Sequence, residues 1–268
     1  MDKIEVPQVD STHQKTKVKV CGVTKPQDAV IAAKSGAAFI GMIFAKSPRM
    51  LGIPEASRII KSVKELYPEE IANSRIPKSD PSLYNFNLES ENKRWFKDYI
   101  RKIDEFGCAR PLFVGVFSNQ SLEYILEVCS AVDLDFVQLH GDESFDMPLS
   151  IPVPVIKVFQ VGSDFNPPEF INRGGNHALI LLDTKVEGAS VQGGHGVSFD
   201  WNVAKQVSQD KDIELILAGG LTHHNVSQSV KVGLPWCVDV SSGVETHIKG
   251  EKDHEKVKEF IANAHSTI

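Results

Sequence analysis

Eight short apolar runs alternate along this chain with segments that have helical spacing of apolar residues. The runs are rich in valine and isoleucine, and they lie at 18–21, 38–44, 111–117, 136–139, 153–159, 178–183, 215–218 and 237–240. Strands that are apolar on both faces are typical of parallel sheets covered by helices on both sides. Eight parallel strands that close on themselves form a (β/α)8 barrel, or TIM barrel. The sequence therefore predicts an α/β fold with a single-domain (β/α)8 TIM barrel.

Helical segments fit between these strands with one exception. Pro26 begins a helix with Thr24 as its cap, and further helices are predicted at 54–66, 121–130, 142–149, 200–208, 222–230 and 253–265. Between Phe159 and Ala178 the helical pattern is weak. An open doubly wound sheet is the alternative fold. No Gly-x-Gly-x-x-Gly follows the first strand, however, and polar residues follow many strands rather than one switch point.

The alternation breaks between the second and third strands. Residues 67 to about 94 are polar and rich in Pro, Ser and Asn, which indicates a surface insertion, and 93–106 is predicted to be an added or extended helix. We therefore divide the chain into a polar N-terminal arm at 1–16 and a barrel at 17–268, with an insertion at about 67–106. The insertion is expected either to mediate association or to be mobile.

Charge and composition limit the partners of this chain. The formal net charge of −6 argues against nucleic acid or an anionic membrane as the main partner, whereas backbone N–H groups can still hold a small anion. The four cysteines form no Cys-x-x-Cys pair, which favours reduced thiols over disulfides or zinc. No signal-peptide core is visible, and no run approaches the roughly 18 apolar residues of a membrane span. We expect a cytoplasmic protein with a small-molecule ligand.

Two strands end in residues suited to proton transfer, at the rim where such barrels carry out their chemistry. Cys21 ends the first strand, and its thiol acts as a base only as a thiolate, which needs a lowered pKa. A small buried apolar side chain is the alternative. Asp183 ends the sixth strand, and its carboxyl can act as a general acid if burial raises its pKa. A helix cap or a loop hydrogen bond is the alternative there.

Glycine-rich loops follow the last two strands. Gly219 and Gly220 come after the seventh strand, and Ser242 and Gly243 come after the eighth. Glycine lets the backbone approach an anion closely, and the loops after strands seven and eight are the usual phosphate site of these barrels. The two loops together therefore predict a phosphate site, with two tight turns as the alternative.

Further polar residues lie at or near strand ends. Arg49, just past the second strand, is suited to bidentate capture of a carboxylate, unless it is a solvated surface residue. Gln138 and His140 end the fourth strand, and His140 either transfers protons, hydrogen-bonds a substrate or is structural. Asp239 alternates with apolar neighbours in the eighth strand and is predicted to point inward and orient other groups. Lys19 is a second candidate for the barrel interior.

In combination these motifs resemble the phosphoribosylanthranilate isomerase family of tryptophan biosynthesis. The resemblance covers about 17–265 apart from the insertion. It is carried by Lys-Val-Cys-Gly-Val-Thr at 19–24, Gly-Met-Ile-Phe at 41–44 with Ser-Pro-Arg at 47–49, Val-Gly-Val-Phe at 114–117, Val-Gln-Leu-His-Gly at 137–141, Leu-Asp at 182–183, Gly-Gly-His-Gly at 193–196, Ala-Gly-Gly-Leu at 218–221 and Asp-Val-Ser-Ser-Gly-Val-Glu at 239–245. Each motif alone is weak, but all of them in order, each at a strand end, are specific.

The resemblance implies a metal-free and cofactor-free Amadori rearrangement. In this reaction of an aldose–ketose isomerase, an intramolecular oxidoreductase, N-(5-phosphoribosyl)anthranilate becomes 1-(2-carboxyphenylamino)-1-deoxyribulose 5-phosphate. By the same resemblance Asp183 protonates the furanose ring oxygen, and Cys21 as thiolate removes the C2′ proton. Arg49 binds the anthranilate carboxylate, and the glycine loops hold the phosphate. The remaining substrate-binding candidates are Gln138, His140 and Asp239.

Two features of the sequence depart from the family. The loop after the sixth strand reads Gly-Gly-His-Gly-Val, so His195 and Val197 put the usual basic side chain of this loop in doubt. The insertion is also longer than the usual link to the third strand. We expect a monomer or a weak homodimer, and Arg49 favours the anthranilate carboxylate over the related histidine-pathway substrate.

Two other kinds of function stay open at this stage. Another phosphosugar barrel enzyme is the first: an epimerase would need metal-binding His and Asp at several strand ends, where only His140 qualifies, and a synthase could use Lys19 or Lys157. An inactive phosphate-ligand-binding barrel is the second.

Overall fold

The strands of the computed structural model follow one another around a closed barrel. The structure describes residues 15–106, 109–185 and 198–267. Neighbouring strands are parallel and β8 pairs with β1, which confirms the predicted (β/α)8 TIM barrel. The strands are β1 Lys17–Val20, β2 Phe39–Ile43, β3 Leu112–Phe117, β4 Phe136–Leu139, β5 Val155–Val161, β6 Leu179–Thr184, β7 Ile216–Leu217 and β8 Cys237–Val240.

Strand register decides which polar residues share the barrel interior. Side chains alternate between the two faces of a strand, and residues in register on neighbouring strands point to the same face. Lys19 is in register with Asp239, and Gln160 is in register with Asp183. Because Asp183 and Asp239 line the cavity at the carboxyl ends of the strands, their register partners also face the interior at that end.

Helices cover most of the barrel's outer surface. They are α1 Pro26–Lys34, α2 Ile53–Lys64, α3 Glu69–Ala72, α4 Glu89–Phe106, α5 Leu122–Ala131, α6 Asn202–Lys211, α7 Val226–Gly233 and α8 His254–His265. The hydroxyl of Ser121 caps α5 by accepting from the Tyr124 N–H, and the carboxylate of Asp253 caps α8 by accepting from the Glu255 and Lys256 N–H groups. Across the described ranges, no helix is both long and apolar enough to cross a membrane.

Two of the local predictions are wrong. The predicted helix at 142–149 is reduced to the 3-10 turn Met147–Ser150, because the Glu143 carboxylate accepts from the N–H groups of Asn119 and Gly141 and fixes the backbone as a loop. The link between β5 and β6 contains only the 3-10 turn Glu169–Asn172, in agreement with the weak helical pattern of its sequence. Thr24 does not cap α1, because its hydroxyl donates to the Gly250 carbonyl at 2.6 Å.

The insertion between α2 and β3 packs on the amino-terminal end of the barrel. Its aromatic side chains Tyr84, Phe86, Trp95 and Tyr99 stack in sequence, and Trp95 and Tyr99 are fully buried. The Trp95 indole donates to the His177 carbonyl at 2.7 Å, just before β6. The predicted helix at 93–106 is therefore present within α4, and its buried aromatic side chains extend the hydrophobic core, while residues 81–94 are exposed or half-buried.

Charged groups join the same insertion to four strand starts. Asp104 of α4 pairs with Lys17 of β1 at 2.9 Å and accepts from the Trp236 indole, just before β8, at 3.3 Å. The Lys78 ammonium donates to the carbonyls of Pro148 and Ile151, which precede β5, at 2.8 and 2.6 Å. Together with Trp95 at β6, these bonds attach the insertion to the end of the barrel opposite the candidate site.

Candidate functional site

One cavity of about 700 Å³ opens at the carboxyl ends of the strands. It is lined by all of the predicted site residues except Gly243, namely Cys21, Arg49, Gln138, His140, Asp183, Gly219, Gly220, Asp239 and Ser242. Lys157, the alternative lysine, instead donates to the Glu143 carboxylate at 2.9 Å and to the Gly141 carbonyl at 3.0 Å. The residues that end the strands therefore meet in one ligand-sized space.

Cys21 lies one residue past β1 in a buried and charged setting. Its backbone N–H donates to the Val240 carbonyl at 2.8 Å, and its Sγ lies so close to Gly41 of β2 that a Cβ there would be 2.7 Å away. Burial raises the pKa of the Cys21 thiol, and the nearby cations of Lys19 and Lys252 act against that rise. The thiol can therefore form a thiolate only with the help of these lysines.

Lys19 and Asp239 form a buried ion pair below the cavity. The Lys19 Nζ lies 3.0 Å from Asp239 Oδ1, and the side chain of Lys19 has no exposed surface. Burial alone lowers the pKa of Lys19, but the carboxylate of Asp239 more than offsets this effect, so the net pKa lies above the usual value. Lys19 is therefore a permanent cation beside Cys21, and Asp239 orients it as expected.

Asp183 and His140 approach each other across the cavity. Asp183 Oδ1 accepts from the Thr184 N–H at 2.8 Å, and Oδ2 lies 3.1 Å from His140 Nε2 without the alignment of a hydrogen bond. The amide nitrogen of Gln138 lies 3.3 Å from His140 Nδ1, so in this orientation of the amide Nδ1 accepts and the ring proton is on Nε2. Asp183 Oδ2 and His140 Nε2 are therefore neighbouring polar atoms that face the same cavity.

Arg49 is in the cavity wall, but it is paired with a carboxylate of the protein. Its Nε and Nη2 donate to the two oxygens of Glu245 at 2.6 and 2.8 Å. Lys252 donates to the same carboxylate at 3.2 Å. Burial acts to raise the pKa of Glu245, but the two cations outweigh it and hold that pKa below its usual range. Arg49 is therefore a fixed buried group rather than a solvated surface residue.

The two glycine loops lie against each other beside the cavity. Gly219 and Gly220 have φ values of +87° and +62°, a region that favours glycine, and a Cβ at Gly243 would collide with the Leu221 carbonyl. The hydrogen bonds of the described chain do not use the N–H groups of Gly219, Gly220, Ser242 or Gly243. Adjacent unpaired N–H groups in glycine loops are suited to holding an anion.

Several unpaired buried polar atoms belong to the cavity or to its immediate surroundings. Of the ten such side-chain atoms found in the described chain, Gln138 Oε1, His140 Nε2 and Ser241 Oγ belong to residues that line the cavity. Gln160 Nε2 and Oε1 and Thr184 Oγ1 belong to neighbours of Asp183, in register with it on β5 or next to it on β6. Native proteins pair nearly all buried polar groups, so this concentration at one place indicates that a polar ligand supplies the missing partners.

Four residues near this site were not predicted from the sequence. Glu245 lies inside a quoted motif but was given no role, and Lys252 has no signal other than its charge. Gln160 could have been found from its position directly after the predicted apolar run at 153–159, and the structure places it in register with Asp183. Lys249 lines the cavity from the loop after β8. The loop that contains His195 and Val197 lies outside the described residues, and so does any role for it.

Comparisons with known proteins agree with this site. A family model described as N-(5'phosphoribosyl)anthranilate (PRA) isomerase matches residues 74–263. An N-(5'-phosphoribosyl)anthranilate isomerase of Wickerhamomyces anomalus is 36% identical over 249 residues, which cover 92% of this chain and 98% of the relative. A multifunctional tryptophan biosynthesis protein of Phycomyces blakesleeanus is 37% identical over 279 residues. That alignment covers 98% of this chain, which spans only 34% of the length of that relative.

A solved structure has the same fold and is described with a bound ligand. It is a phosphoribosyl anthranilate isomerase in complex with reduced 1-(o-carboxyphenylamino)-1-deoxyribulose 5-phosphate. The TM-score is 0.65 at 30% sequence identity, and the match covers 94% of this chain and 99% of the solved one. Chain length, fold and motif order therefore agree over nearly the whole described barrel.

Proposed function

The chain belongs to the N-(5'-phosphoribosyl)anthranilate isomerase family, and we propose that Cys21 is the base and Asp183 the acid of its reaction. The reaction is an Amadori rearrangement, an aldose–ketose isomerisation in tryptophan biosynthesis that converts N-(5-phosphoribosyl)anthranilate to 1-(2-carboxyphenylamino)-1-deoxyribulose 5-phosphate. The observation that carries the assignment is that both side chains line one cavity from β1 and β6, which are three strands apart in the ring. Two proton transfers at different substrate atoms need two groups separated in this way.

Asp183 is suited to the first transfer. Protonation of the furanose ring oxygen breaks the bond between that oxygen and C1′ and leaves a Schiff base between C1′ and the anthranilate nitrogen. Because Oδ1 accepts from the Thr184 N–H, Oδ2 is the oxygen from which the proton leaves. His140 Nε2 lies 3.1 Å from Oδ2, so the imidazole is a polar neighbour of this carboxyl. A positioned acid of this kind contributes on the order of 10²–10⁴-fold to the rate.

Cys21 is suited to the second transfer. As a thiolate it takes the proton from C2′, and the electrons of the C2′–H bond move towards the imine nitrogen to form an enolamine. The enolamine then tautomerises to the aminoketone product. The cations of Lys19 and Lys252 favour the thiolate, which burial disfavours.

Binding groups surround these two residues. We assign the anthranilate carboxylate to Arg49, and the phosphate to the unpaired N–H groups of the two glycine loops, at Gly219, Gly220, Ser242 and Gly243. The unpaired polar atoms of Gln138 and His140 are available to the ribose hydroxyls of the opened chain. Asp239 acts mainly through Lys19. Phosphate binding far from the reacting carbons orients the substrate.

Four wider assignments are part of the same proposal. We assign the protein to the cytoplasm, as a monomer or weak homodimer with a small phosphorylated substrate. It has no nucleic acid or membrane partner in this proposal. The division into an arm at 1–16, a barrel at 17–268 and an insertion at about 67–106 is also kept. Because some relatives are multifunctional and about three times longer, further activities of a longer protein would be separate from this site.

The test is the loss of anthranilate-type fluorescence when purified protein meets freshly generated phosphoribosylanthranilate, with excess chelator present. Cys21→Ser and Asp183→Asn are each expected to lower turnover by about 10²–10⁴-fold, since each removes one proton-transfer group. Both variants should still bind the reduced product analogue.

Two matched controls separate chemistry from general damage. Cys129→Ser changes a half-buried thiol on α5, and Asp210→Asn changes an exposed carboxylate on α6, both away from the cavity. Both controls are expected to keep wild-type rates. Near-normal turnover in Cys21→Ser or Asp183→Asn would remove that residue from its role, and loss of turnover on adding chelator would contradict the metal-free reaction.

A further inference from the structure

Arg49 is held rigidly in the wall of the cavity. Both Arg49 and its partner Glu245 are more than nine-tenths buried. The aliphatic part of Arg49 passes over Gly22, where a Cβ would lie 2.6 Å from Arg49 Cδ, and near Gly250, where a Cβ would lie 3.6 Å from Cγ. Both glycines have positive φ values, +68° and +87°. The side chain therefore has little room to change its path.

Glu245 occupies only one edge of the guanidinium. Arginine has five N–H donors in a planar fork, and the Nε–Nη2 edge uses two of them on the Glu245 oxygens at 2.6 and 2.8 Å. The other edge, formed by Nη1 and the second proton of Nη2, has no partner among the hydrogen bonds of the described residues. Because Arg49 lines the cavity, this second edge is available to the two oxygens of a ligand carboxylate.

Lys252 gives the cluster a net positive charge. Its Nζ lies 3.2 Å from Glu245 Oε1 and 2.9 Å from the Ser241 carbonyl, and its side chain is fully buried. Burial lowers the pKa of Lys252, and the Glu245 carboxylate acts against that drop. With Lys252 protonated, two cations and one carboxylate leave a single positive charge beside the cavity. A substrate carboxylate can neutralise this charge, whereas an uncharged aromatic ring cannot.

We propose that Glu245 is a positioning residue for Arg49, which fixes one edge of the guanidinium so that the other edge binds the carboxylate on the aromatic ring of the substrate. This inference rests on the proposed function. Because Glu245 acts through Arg49, removing it is expected to harm mainly the recognition of that carboxylate. The other partner of Glu245, Lys252, still donates to the Ser241 carbonyl at 2.9 Å, which keeps its ammonium near Cys21.

The experiment compares two substrates in wild-type protein and in Glu245→Gln. One substrate is phosphoribosylanthranilate, and the other is the phosphoribosylamine made from aniline, which lacks the carboxylate. With the first substrate kcat/KM is expected to fall about 10- to 100-fold, mainly through KM, which is the range for losing a hydrogen bond to a charged group. With the aniline compound the fall is expected to stay below about threefold.

Further variants keep the test decisive if Glu245→Gln folds poorly. Glu245→Asp keeps the charge that neutralises the buried cations, but its side chain is one methylene shorter and reaches the guanidinium less well, so it should show the same substrate-dependent loss in a smaller degree. Arg49→Lys combined with Glu245→Gln should be no worse than Arg49→Lys alone. Glu251→Gln is the control, since Glu251 is in the same loop but pairs with Lys25 on the surface.

The outcomes separate this inference from the proposed function. Equal losses with both substrates, or no loss with either, would overturn the positioning role while the isomerase assignment stands. Additive effects of the two substitutions would overturn it as well. If the wild-type protein isomerises neither substrate, the proposed function fails and the positioning role fails with it.

Discussion

The buried ion pair of Lys19 and Asp239 lies beside Cys21 and is expected to stabilise the fold. Its Nζ–Oδ1 distance is 3.0 Å, and the side chains are 0% and 10% exposed. Lys19→Met keeps the side-chain length but leaves the Asp239 carboxylate buried without a partner, which costs about 3–5 kcal/mol of unfolding free energy. At about 2–4 °C per kcal/mol for a chain of this size, the melting temperature should fall by about 6–20 °C.

The loss of unfolding free energy in Lys19→Met should depend on pH in a defined direction. Burial already raises the pKa of Asp239, and removing the Lys19 ammonium raises it further. A carboxyl whose folded pKa exceeds its unfolded value of about 3.9 contributes stability that is fully present below the unfolded pKa and is lost as pH rises through the folded pKa. Lys19→Met should therefore be closest to wild type in acid and fall further behind towards neutral pH.

Urea unfolding followed by tryptophan fluorescence between about pH 4 and pH 8 measures this effect. The double variant Lys19→Met, Asp239→Asn removes both charges, so it should be more stable than Lys19→Met alone by more than about 1 kcal/mol at neutral pH. Lys258→Met breaks an exposed pair with Glu255 and should stay within about 0.5 kcal/mol of wild type. Additive effects of the two single substitutions, or a loss independent of pH, would refute this reasoning.

Two further predictions concern groups outside the proposed proton transfers. Burial lowers the pKa of His177 to about 4, so unfolding takes up a proton between that value and the ordinary 6.5. Stability should therefore fall by up to about 3 kcal/mol as pH drops through this window, and His177→Phe should abolish that slope in urea unfolding; an unchanged slope would contradict the assignment. The Gln160 amide has no partner in the described chain, so Gln160→Met should change stability by less than about 1 kcal/mol while weakening binding of the reduced product analogue. A stability loss of more than about 2 kcal/mol would mean that the amide is paired within the protein.

The strands could be predicted because each is a local pattern. A run that is apolar on both faces forms a buried parallel strand whatever follows it, and 136–139 and 237–240 are strands with the predicted bounds. The prediction of a helix at 142–149 was wrong because the helical spacing of apolar residues is a local pattern, whereas the contact that prevents the helix is long-range. Glu143 accepts from the Asn119 N–H, 24 residues earlier, so the two residues do not fall within the roughly 11–18 residues over which helical periodicity is assessed.

The candidate site shows the same difference between features that are local in the sequence and contacts between distant residues. Cys21 and Asp183 could be identified because a residue that ends a strand of a barrel is at the rim by topology alone. The pairing of the charged residues around them could not be predicted, because the Lys19–Asp239 and Arg49–Glu245 contacts join residues 220 and 196 positions apart. The sequence predicts which groups reach the cavity, whereas the charge state of those groups is set by contacts that only the closed barrel creates.

The two ends of the barrel use their polar groups in opposite ways. At the amino-terminal end the insertion supplies partners, since Trp95, Lys78 and Asp104 each bond to groups at the strand starts. At the carboxyl end, Gln138 and Ser241 keep buried polar atoms that have no partner within the described parts of the chain. Unpaired buried groups cost stability, so a fold keeps them where a ligand later pairs them. The contacts of the insertion therefore stabilise the amino-terminal end of the barrel, and the carboxyl end, with its unpaired groups at the cavity, is the one that we propose binds the substrate.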